Sequence, residues 1–493
     1  MVKKLVFWLD DRLGGSRFAE EALNKVFPDT WSFLLGEIAL YCFVVLLLTG
    51  TFLTFFFTAS ESPTVYHGAD KALNGVSVPG AYESVVRLSF DVRAGLVMRQ
   101  IHHWAALVFI AAIVAHLCRI FFTGAFRRPR EINWIIGVTL LTLAIFNGFT
   151  GYSLPDDLLS GTGLRIAYSI AQSIPLVGTW IAFLLFGGKY DSPQITGRLF
   201  IIHVLFIPAL IGILLGAHLG IIWRQKHTQF PGPGRTEGNV VGEKMWPTYM
   251  AKSIGLFFGV TSVLAALGGL VQINPVWQYG PYVPYAVSSP AQPDWYLGWL
   301  EGALRIFPPW EIRAFGYEIP NPFFPAVLLP GLTFGLLYVW PFLEAWATDD
   351  RLPHHLLDRP RDRPLRTAFG AAALSFYTVL LAAGSNDLIA KWFQVPVESI
   401  TWMFRVLLFV LPLVVGFVTH RLMRSLKLSG AGSFSTMPGS ALSRRQGRLA
   451  TAGASVGALS EPGSPVVAAL SVAAIVAASV ARLVRRLRHR SKD

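Results

Sequence analysis

The sequence predicts an all-α polytopic membrane protein with eight transmembrane helices, and three observations predict it. Of 493 residues, 53% are hydrophobic and only 14% are charged, against about 25% charged in an average soluble domain. Eight apolar runs reach the length of about 20 residues that a bilayer core requires. Lys and Arg gather in alternate loops between those runs, as the positive-inside rule demands. A soluble chain of this length would split into two or more domains, each with a polar surface, and there is too little charge to cover them. The net charge of +13 is therefore first a matter of sidedness and not of nucleic-acid binding.

Residues 1–30 are mixed in character and include Lys3, Lys4, Arg12, Arg17 and Lys25. They lack the short apolar core and small-residue cleavage site of a signal peptide and read as a cytoplasmic N-terminal segment. The apolar runs lie near 32–57, 98–123, 133–153, 200–223, 251–273, 322–346, 367–385 and 401–424. Arg127, Arg128 and Arg130 follow the second run, and Arg224, Lys226, Arg235 and Lys244 follow the fourth. Arg351, Arg359, Arg361, Arg363 and Arg366 follow the sixth, and Arg421, Arg424 and Lys427 the eighth. Both termini are thus expected on the cytoplasmic side of the membrane. Residues 164–186 are also apolar, but Gln172 and Pro175 interrupt them. Counting them as a span would put three basic loops on the wrong side, so they read as a hairpin of short helices on the outer membrane surface. The organisation expected is a four-helix bundle over 31–230, four further helices with a long outer loop over 231–424, and a tail over 425–493. In the tail, a Gly-, Ser- and Ala-rich linker precedes an Ala/Val segment followed by Arg485, Arg486, Arg488 and Arg490. That pattern suits a cytoplasmic interfacial helix.

Few polar groups lie inside the runs, and four of them form a pattern. His102 and His116 are 14 residues apart in the second run, and His203 and His218 are 15 apart in the fourth. At ~1.5 Å and ~100° per residue, 14 steps span ~21 Å and return to within about 40° of the start, while 15 steps overshoot by about 60°. Each helix thus presents two imidazoles on one face, near opposite edges of the hydrocarbon. Both helices run from outside to inside, so His102 matches His203 in depth and His116 matches His218. Two facing imidazoles at one depth supply both axial ligands of a haem iron, and two such pairs describe two stacked haems. These are non-covalent b-type haems, because Cys42 and Cys118 both lie in apolar stretches and no CxxCH motif occurs. A single intramembrane His is more often a packing residue or a proton relay; four at matched depths are much harder to dismiss. His103, beside His102, is turned by about 100° from the ligand face.

Glycine supplies an independent sign. Gly36 and Gly50 in the first run are 14 apart, as are Gly137 and Gly151 in the third. A macrocycle needs close backbone approach, which Gly permits, and these are the other two helices of the bundle. Arg99 and Arg119 each stand three residues from a candidate ligand. They suit haem propionates from opposite sides, or snorkelling to lipid headgroups.

With Gly36/Gly50, Arg99-x-x-His102, His116, Gly137/Gly151 and His203/His218, the chain resembles the cytochrome b subunit of quinol:cytochrome c oxidoreductases, the cytochrome bc complexes. Gly151-Tyr152-Ser153-Leu154-Pro155 and Pro293-Asp294-Trp295-Tyr296 add two loop motifs, and the resemblance covers about residues 30–424. The 15-residue spacing, Asp in place of the usual Glu of the second motif, and RQKHTQFPGPG at 224–234 resemble the actinobacterial branch. That branch implies menaquinol as substrate.

The resemblance implies quinol oxidation at the outer face, with Asp294 in the position of the proton acceptor. Asp is one methylene shorter than Glu, so a water between it and the quinol is one arrangement. Glu301 is a second candidate base, and Tyr296 is expected to hydrogen-bond the quinol ring or tune access to the haem. An inner quinone site is expected near the inner haem, with Lys226 and His227 as candidate proton donors. The family's inner-site His, in mitochondrial forms, falls here on Trp223, which leaves the inner chemistry open. The expected function is a Q-cycle with a Rieske iron–sulfur subunit and a cytochrome c subunit as partners. A homodimeric complex and association with a terminal oxidase are further expectations. Two rivals remain at this stage: the diheme membrane anchor of another quinone-linked oxidoreductase, and a proton-coupled secondary transporter using intramembrane His. The first has fewer helices, and the second predicts ionisable groups near the midplane rather than toward both edges.

Overall fold

The structure, a computed structural model, describes residues 2–188, 190, 192–286 and 292–430. Eight of its helices are long and apolar enough to cross a membrane: Trp31–Thr54, Gly95–Thr123, Glu131–Tyr152, Ile195–Gln225, Met245–Leu270, Phe324–Thr348, Pro364–Ala383 and Val397–Leu428. Each begins and ends within about six residues of its predicted run. The fourth and eighth spans extend past their apolar stretches, taking Arg198 and Arg224 into one helix and Lys427 into the other. Large apolar side chains such as Leu48, Ile213, Phe258, Leu332 and Phe409 stand more than half exposed. In a multi-pass membrane protein that surface faces lipid, where exposed apolar area carries no hydrophobic penalty.

Residues 158–186 form two short helices, Leu158–Gln172 and Gly178–Phe186, in place of a ninth crossing. Asp157 starts the first by accepting from the backbone N–H of Leu159 at 2.9 Å and of Ser160 at 3.1 Å, while Ser160 reaches back to the Asp157 N–H. Leu176, Trp180 and Leu184 project from the second helix and the turn before it, each more than two-thirds exposed. The expected terminal helix of the tail lies outside the described residues.

The first four spans share one core. Cys42, Phe43 and Val45 of the first pack with Ala105, Leu107 and Ile110 of the second, Leu141 and Ala144 of the third, and Ile207 and Ile211 of the fourth. The fifth span crosses the second closely at Gly268, where an added Cβ would lie 2.5 Å from the Ile101 side chain. Trp104 Nε1–H then donates to Val271 O at 2.9 Å and locks the crossing.

One end of the bundle carries the basic loops. There, Val26–Phe27 pairs antiparallel with Glu243–Lys244. Not all of the charge at this end faces solvent. Arg130 is buried and donates to the carbonyls of His354 at 2.7 Å and Lys226 at 3.0 Å. Arg366 is buried between Glu344 at 2.7 Å and Asp358 at 2.6 Å. The far end carries two small strand pairs, Pro63–Val65 with Ser77–Pro79 and Ile312–Ala314 with Tyr317–Ile319. It also carries the helix Trp295–Ile306, which opens on the Asp294 motif.

Candidate functional site

The four histidines project into the shared core at two levels. At the far-end level the rings of His102 and His203 have centroids 6.3 Å apart. His203 Nδ1–H donates to Asn147 O at 2.9 Å. Thr49 gives its hydroxyl proton to Val45 O at 2.7 Å, so its oxygen accepts from His102 Nδ1–H at 2.9 Å. Engaging Nδ1 in this way leaves Nε2 of each ring as the free lone pair, the arrangement that orients a metal-ligating imidazole. At the basic-end level His116 and His218 are close enough to interact electrostatically.

Each ring is backed by one of the four spaced glycines. A Cβ added at Gly50 would lie 3.1 Å from His102 Cε1, and at Gly151 2.3 Å from His203 Cε1. At Gly36 it would lie 3.2 Å from His116 Cε1, and at Gly137 3.7 Å from His218 Cε1. The pairing by level is therefore Gly50 and Gly151 with His102 and His203, and Gly36 and Gly137 with His116 and His218.

The 15-residue interval in the fourth span has a structural cause that the sequence arithmetic did not anticipate. Residues Ile202–Phe206 form a π-helical turn around His203. A π-turn takes up one extra residue without changing the faces on either side, so the expected overshoot is absorbed. Pro208, which has no N–H to close the preceding helical bond, is the sequence signal that accompanies it.

The far-end cavity joins this level to the Asp294 loop. Its wall includes Gly50, His102, Gly151 and His203 on one side and His103, Asp294 and Tyr296 on the other. His103 Nε2 lies 2.9 Å from Asp294 Oδ1, and the Tyr296 hydroxyl donates to Asp294 Oδ2 at 3.2 Å. Tyr296 enters beside Gly148, where an added Cβ would lie 2.6 Å from its hydroxyl oxygen. Burial, reinforced by the Asp294 carboxylate, holds the Tyr296 phenol well above its ordinary pKa, so it stays protonated and donates. His103 and Gly148 were not among the expected site residues. The signal for His103 was the same turn of about 100° that removed it from the ligand face, since that turn aims it at the loop. Glu301, expected as a second base, is placed elsewhere. It pairs with Arg305 at 2.8 Å, which also holds Asp387 at 2.8 Å, and it does not line the cavity.

At the basic end the two inner-site candidates part company. Lys226 is exposed, with a left-handed φ of 64°, and its carbonyl accepts from Arg130. His227 turns inward, with its ring 4.8 Å from Phe27 and 6.4 Å from Phe33. Burial first, then the neighbouring Lys25, Arg130 and Arg119 cations, push its pKa down to about 4, so the ring is neutral near pH 7. Arg119 lies over Phe33 at 4.0 Å.

The residues present fit haem. The glycine faces leave room beside each imidazole, and an added Cβ would crowd the ring at Gly36, Gly50 and above all Gly151. Arg99 Nε and Arg119 Nε and Nη2 are buried with no hydrogen-bond partner. A buried guanidinium N–H requires an acceptor, and a propionate at each level is an acceptor of the right charge. Arg99 Nη2 meanwhile donates to Asn274 O at 2.7 Å, which fixes its direction.

Comparison with known proteins agrees. A family model described as Cytochrome b(N-terminal)/b6/petB matches residues 107–281. The chain is 53% identical over 414 residues to the cytochrome bc1 complex cytochrome b subunit of Mycobacterium tuberculosis, covering 84% of this chain and 75% of the relative. It is 50% identical over 421 residues to that of Corynebacterium diphtheriae, covering 85% and 78%. It is 48% identical over 420 residues to that of Streptomyces coelicolor, covering 85% and 77%. Among solved structures, a chain of a hyperthermophilic respiratory Complex III shares the fold, with a TM-score of 0.63 at 21% identity over 84% of this chain and 99% of that one. Fold and site define a multi-pass membrane protein of haem-based electron transport. The chain belongs to the cytochrome b family of bc1 complexes, a family that binds b-type haem and works on quinones.

Proposed function

We propose that the chain is the diheme cytochrome b subunit of a quinol–cytochrome c reductase and runs a Q-cycle. The observation that carries this is the pairing of four histidines at two levels, each ring backed by a glycine, with Asp294 and Tyr296 opening onto the same cavity as one pair. The basic loops favour a cytoplasmic N-terminus and His116/His218 level and an outer His102/His203 level. When bound, the two haems supply one-electron carriers at those two depths.

The chain's own residues then divide the work. His102 and His203 would hold the outer haem, His116 and His218 the inner one, and Arg99 and Arg119 would receive the propionates. At the outer face quinol lies against Asp294, which accepts a proton, while the Tyr296 hydroxyl and His103 fix the carboxylate by one oxygen each. A base whose two oxygens are held by neighbours is kept in one orientation toward its proton. One electron goes to a Rieske iron–sulfur subunit and the other crosses to a quinone at the inner face, while both quinol protons leave outside. A cytochrome c subunit takes the Rieske electron onward, and the complex is a dimer that associates with a terminal oxidase. Asp294 in place of Glu, and the 224–234 sequence, favour menaquinol.

The test is direct. The purified protein should be red and hold two b-type haems per chain by the pyridine hemochromogen assay; a colourless preparation refutes the proposal. Replacing His102 should remove the outer haem and spare most of the inner one.

A further inference from the structure

The basic end of the first span holds a polar cluster apart from the histidines and Asp294. Glu37 stands one residue after Gly36, the glycine that backs His116. Its Oε1 accepts from the Tyr249 hydroxyl. Its Oε2 accepts from Ser253 Oγ at 2.8 Å and from the Tyr41 hydroxyl at 3.3 Å, and those two hydroxyls lie 2.5 Å apart. All of these partners are hydroxyls, and no cation is among them. A carboxylate on a membrane-crossing helix is costly, and chains of such groups with hydroxyls carry protons.

A surface ion cluster stands beside it in the chain, and Tyr249 leads through Phe27 toward the inner candidate His227. Lys252, next to Ser253 in the chain, is exposed and bridges Asp29 at 3.1 Å and Glu243 at 2.9 Å, which places two carboxylates at the surface. On the other side, the Tyr249 ring stacks on Phe27 at 4.3 Å, and Phe27 in turn touches His227. The imidazole there is neutral and ringed by Lys25, Arg130 and Arg119, so it holds no surplus proton to deliver. The same end must nevertheless take up two protons for each quinone reduced.

We propose that Glu37, held by Tyr41, Tyr249 and Ser253, donates cytoplasmic protons to the quinone at the inner site. The proposal rests on the Q-cycle reading. Electrons come from quinol oxidised at the outer face. The O–H bond of the Glu37 carboxyl breaks, its proton forms an O–H bond on a quinone oxygen, and the carboxylate is reprotonated through Ser253 from the Asp29–Lys252–Glu243 group. Two such transfers accompany two electrons and yield quinol.

The test uses the whole complex. Quinol should reduce both b haems of the wild type, and quinone should reoxidise them; if either step is missing, the Q-cycle reading itself fails and the proposal with it. Glu37→Gln should keep both haems and their reduction from the outer site but slow quinone-dependent reoxidation at least tenfold, with Glu37→Asp recovering much of the rate. The infrared difference spectrum of inner-site reduction should show a carboxyl band that Glu37→Gln removes. Wild-type reoxidation, or an unchanged carboxyl band, in Glu37→Gln overturns the proposal. If Glu37→Gln does not assemble with haem, Ser253→Ala decides: severalfold slower reoxidation with a larger solvent deuterium effect supports it, and unaltered kinetics overturn it.

Discussion

His103 Nε2 stands 2.9 Å from Asp294 Oδ1, joining the second membrane span to a loop 191 residues further along the chain. Both side chains are about seven-eighths buried, and the Tyr296 hydroxyl occupies the other carboxylate oxygen. The candidate base is thus held in one orientation from two sides, beside the His102/His203 level.

Removing the hold should be felt in the chemistry before the fold. His103→Ala should leave both haems in place and slow quinol-driven haem reduction about tenfold, since losing orientation alone costs factors of this order. Asp294→Asn should be slower still, because it removes the acceptor. Stopped-flow reduction of the haems by quinol reads both, and wild-type rates in Asp294→Asn would refute its role.

The glycine contacts predict a graded series. An added methyl at Gly151 falls 2.3 Å from His203, whereas one at Gly137 falls at 3.7 Å from His218, an ordinary van der Waals distance. Gly151→Ala should lose the outer haem, and Gly137→Ala should retain the inner one. Haem content and redox titration separate the two outcomes, and equal tolerance at both positions would show that the glycines are not haem-side contacts.

His227 makes the basic end sensitive to acid. Its folded pKa of about 4 lies below the unfolded value of about 6.5. The unfolded chain therefore binds more protons between those values, and stability rises with pH across that window. The contribution is fully present above about pH 6.5 and is lost as pH falls toward 4. Thermal denaturation between pH 7 and 5 should fall less steeply in His227→Gln than in the wild type.

Arg366 should be the least replaceable of the basic-loop residues. Its side chain is 3% exposed and is shared by Glu344 and Asp358. Arg366→Met would leave the Glu344 carboxylate without its cation, while Asp358 keeps Arg363 at 3.3 Å and Arg127 at 3.4 Å, a loss of about 3 kcal/mol. Arg351, 82% exposed and 3.4 Å from Asp349, should accept Ala with a change of less than about 1 kcal/mol. Melting temperatures of the two variants in detergent test the contrast.

The spans were legible because lipid imposes a length and a polarity on every crossing helix, independent of partners. The paired His and Gly positions were legible because helical spacing converts residue number into depth and face. What escaped depended on local winding, on close neighbours along a helix, or on tertiary contacts. The π-turn at Ile202–Phe206 is a local change of winding that a uniform ~100° step cannot express. The His103–Asp294 contact requires knowing how the loop folds back over the second span. Glu301 reads as a second carboxylate beside Asp294, yet it lies on a helical face that meets Arg305. Arg130 and Arg366 read as sidedness charge, and tertiary packing turns them into buried struts.

The strand pair at the basic end closes the first four spans into a loop. Val26–Phe27 lies three residues before the first span and Glu243–Lys244 immediately before the fifth, and Met245 N–H reinforces the join by donating to Lys25 O at 2.8 Å. Gly242 lies so close to Phe27 O that no side chain fits between them. The exposed 231–238 turn therefore lies inside a closed circuit: a nick there would leave two pieces still fastened by the strands and by the contacts between the second and fifth spans. The first four spans and the half that carries the Asp294 loop are thus interlocked parts, and the covalent link between them is not what holds them in register.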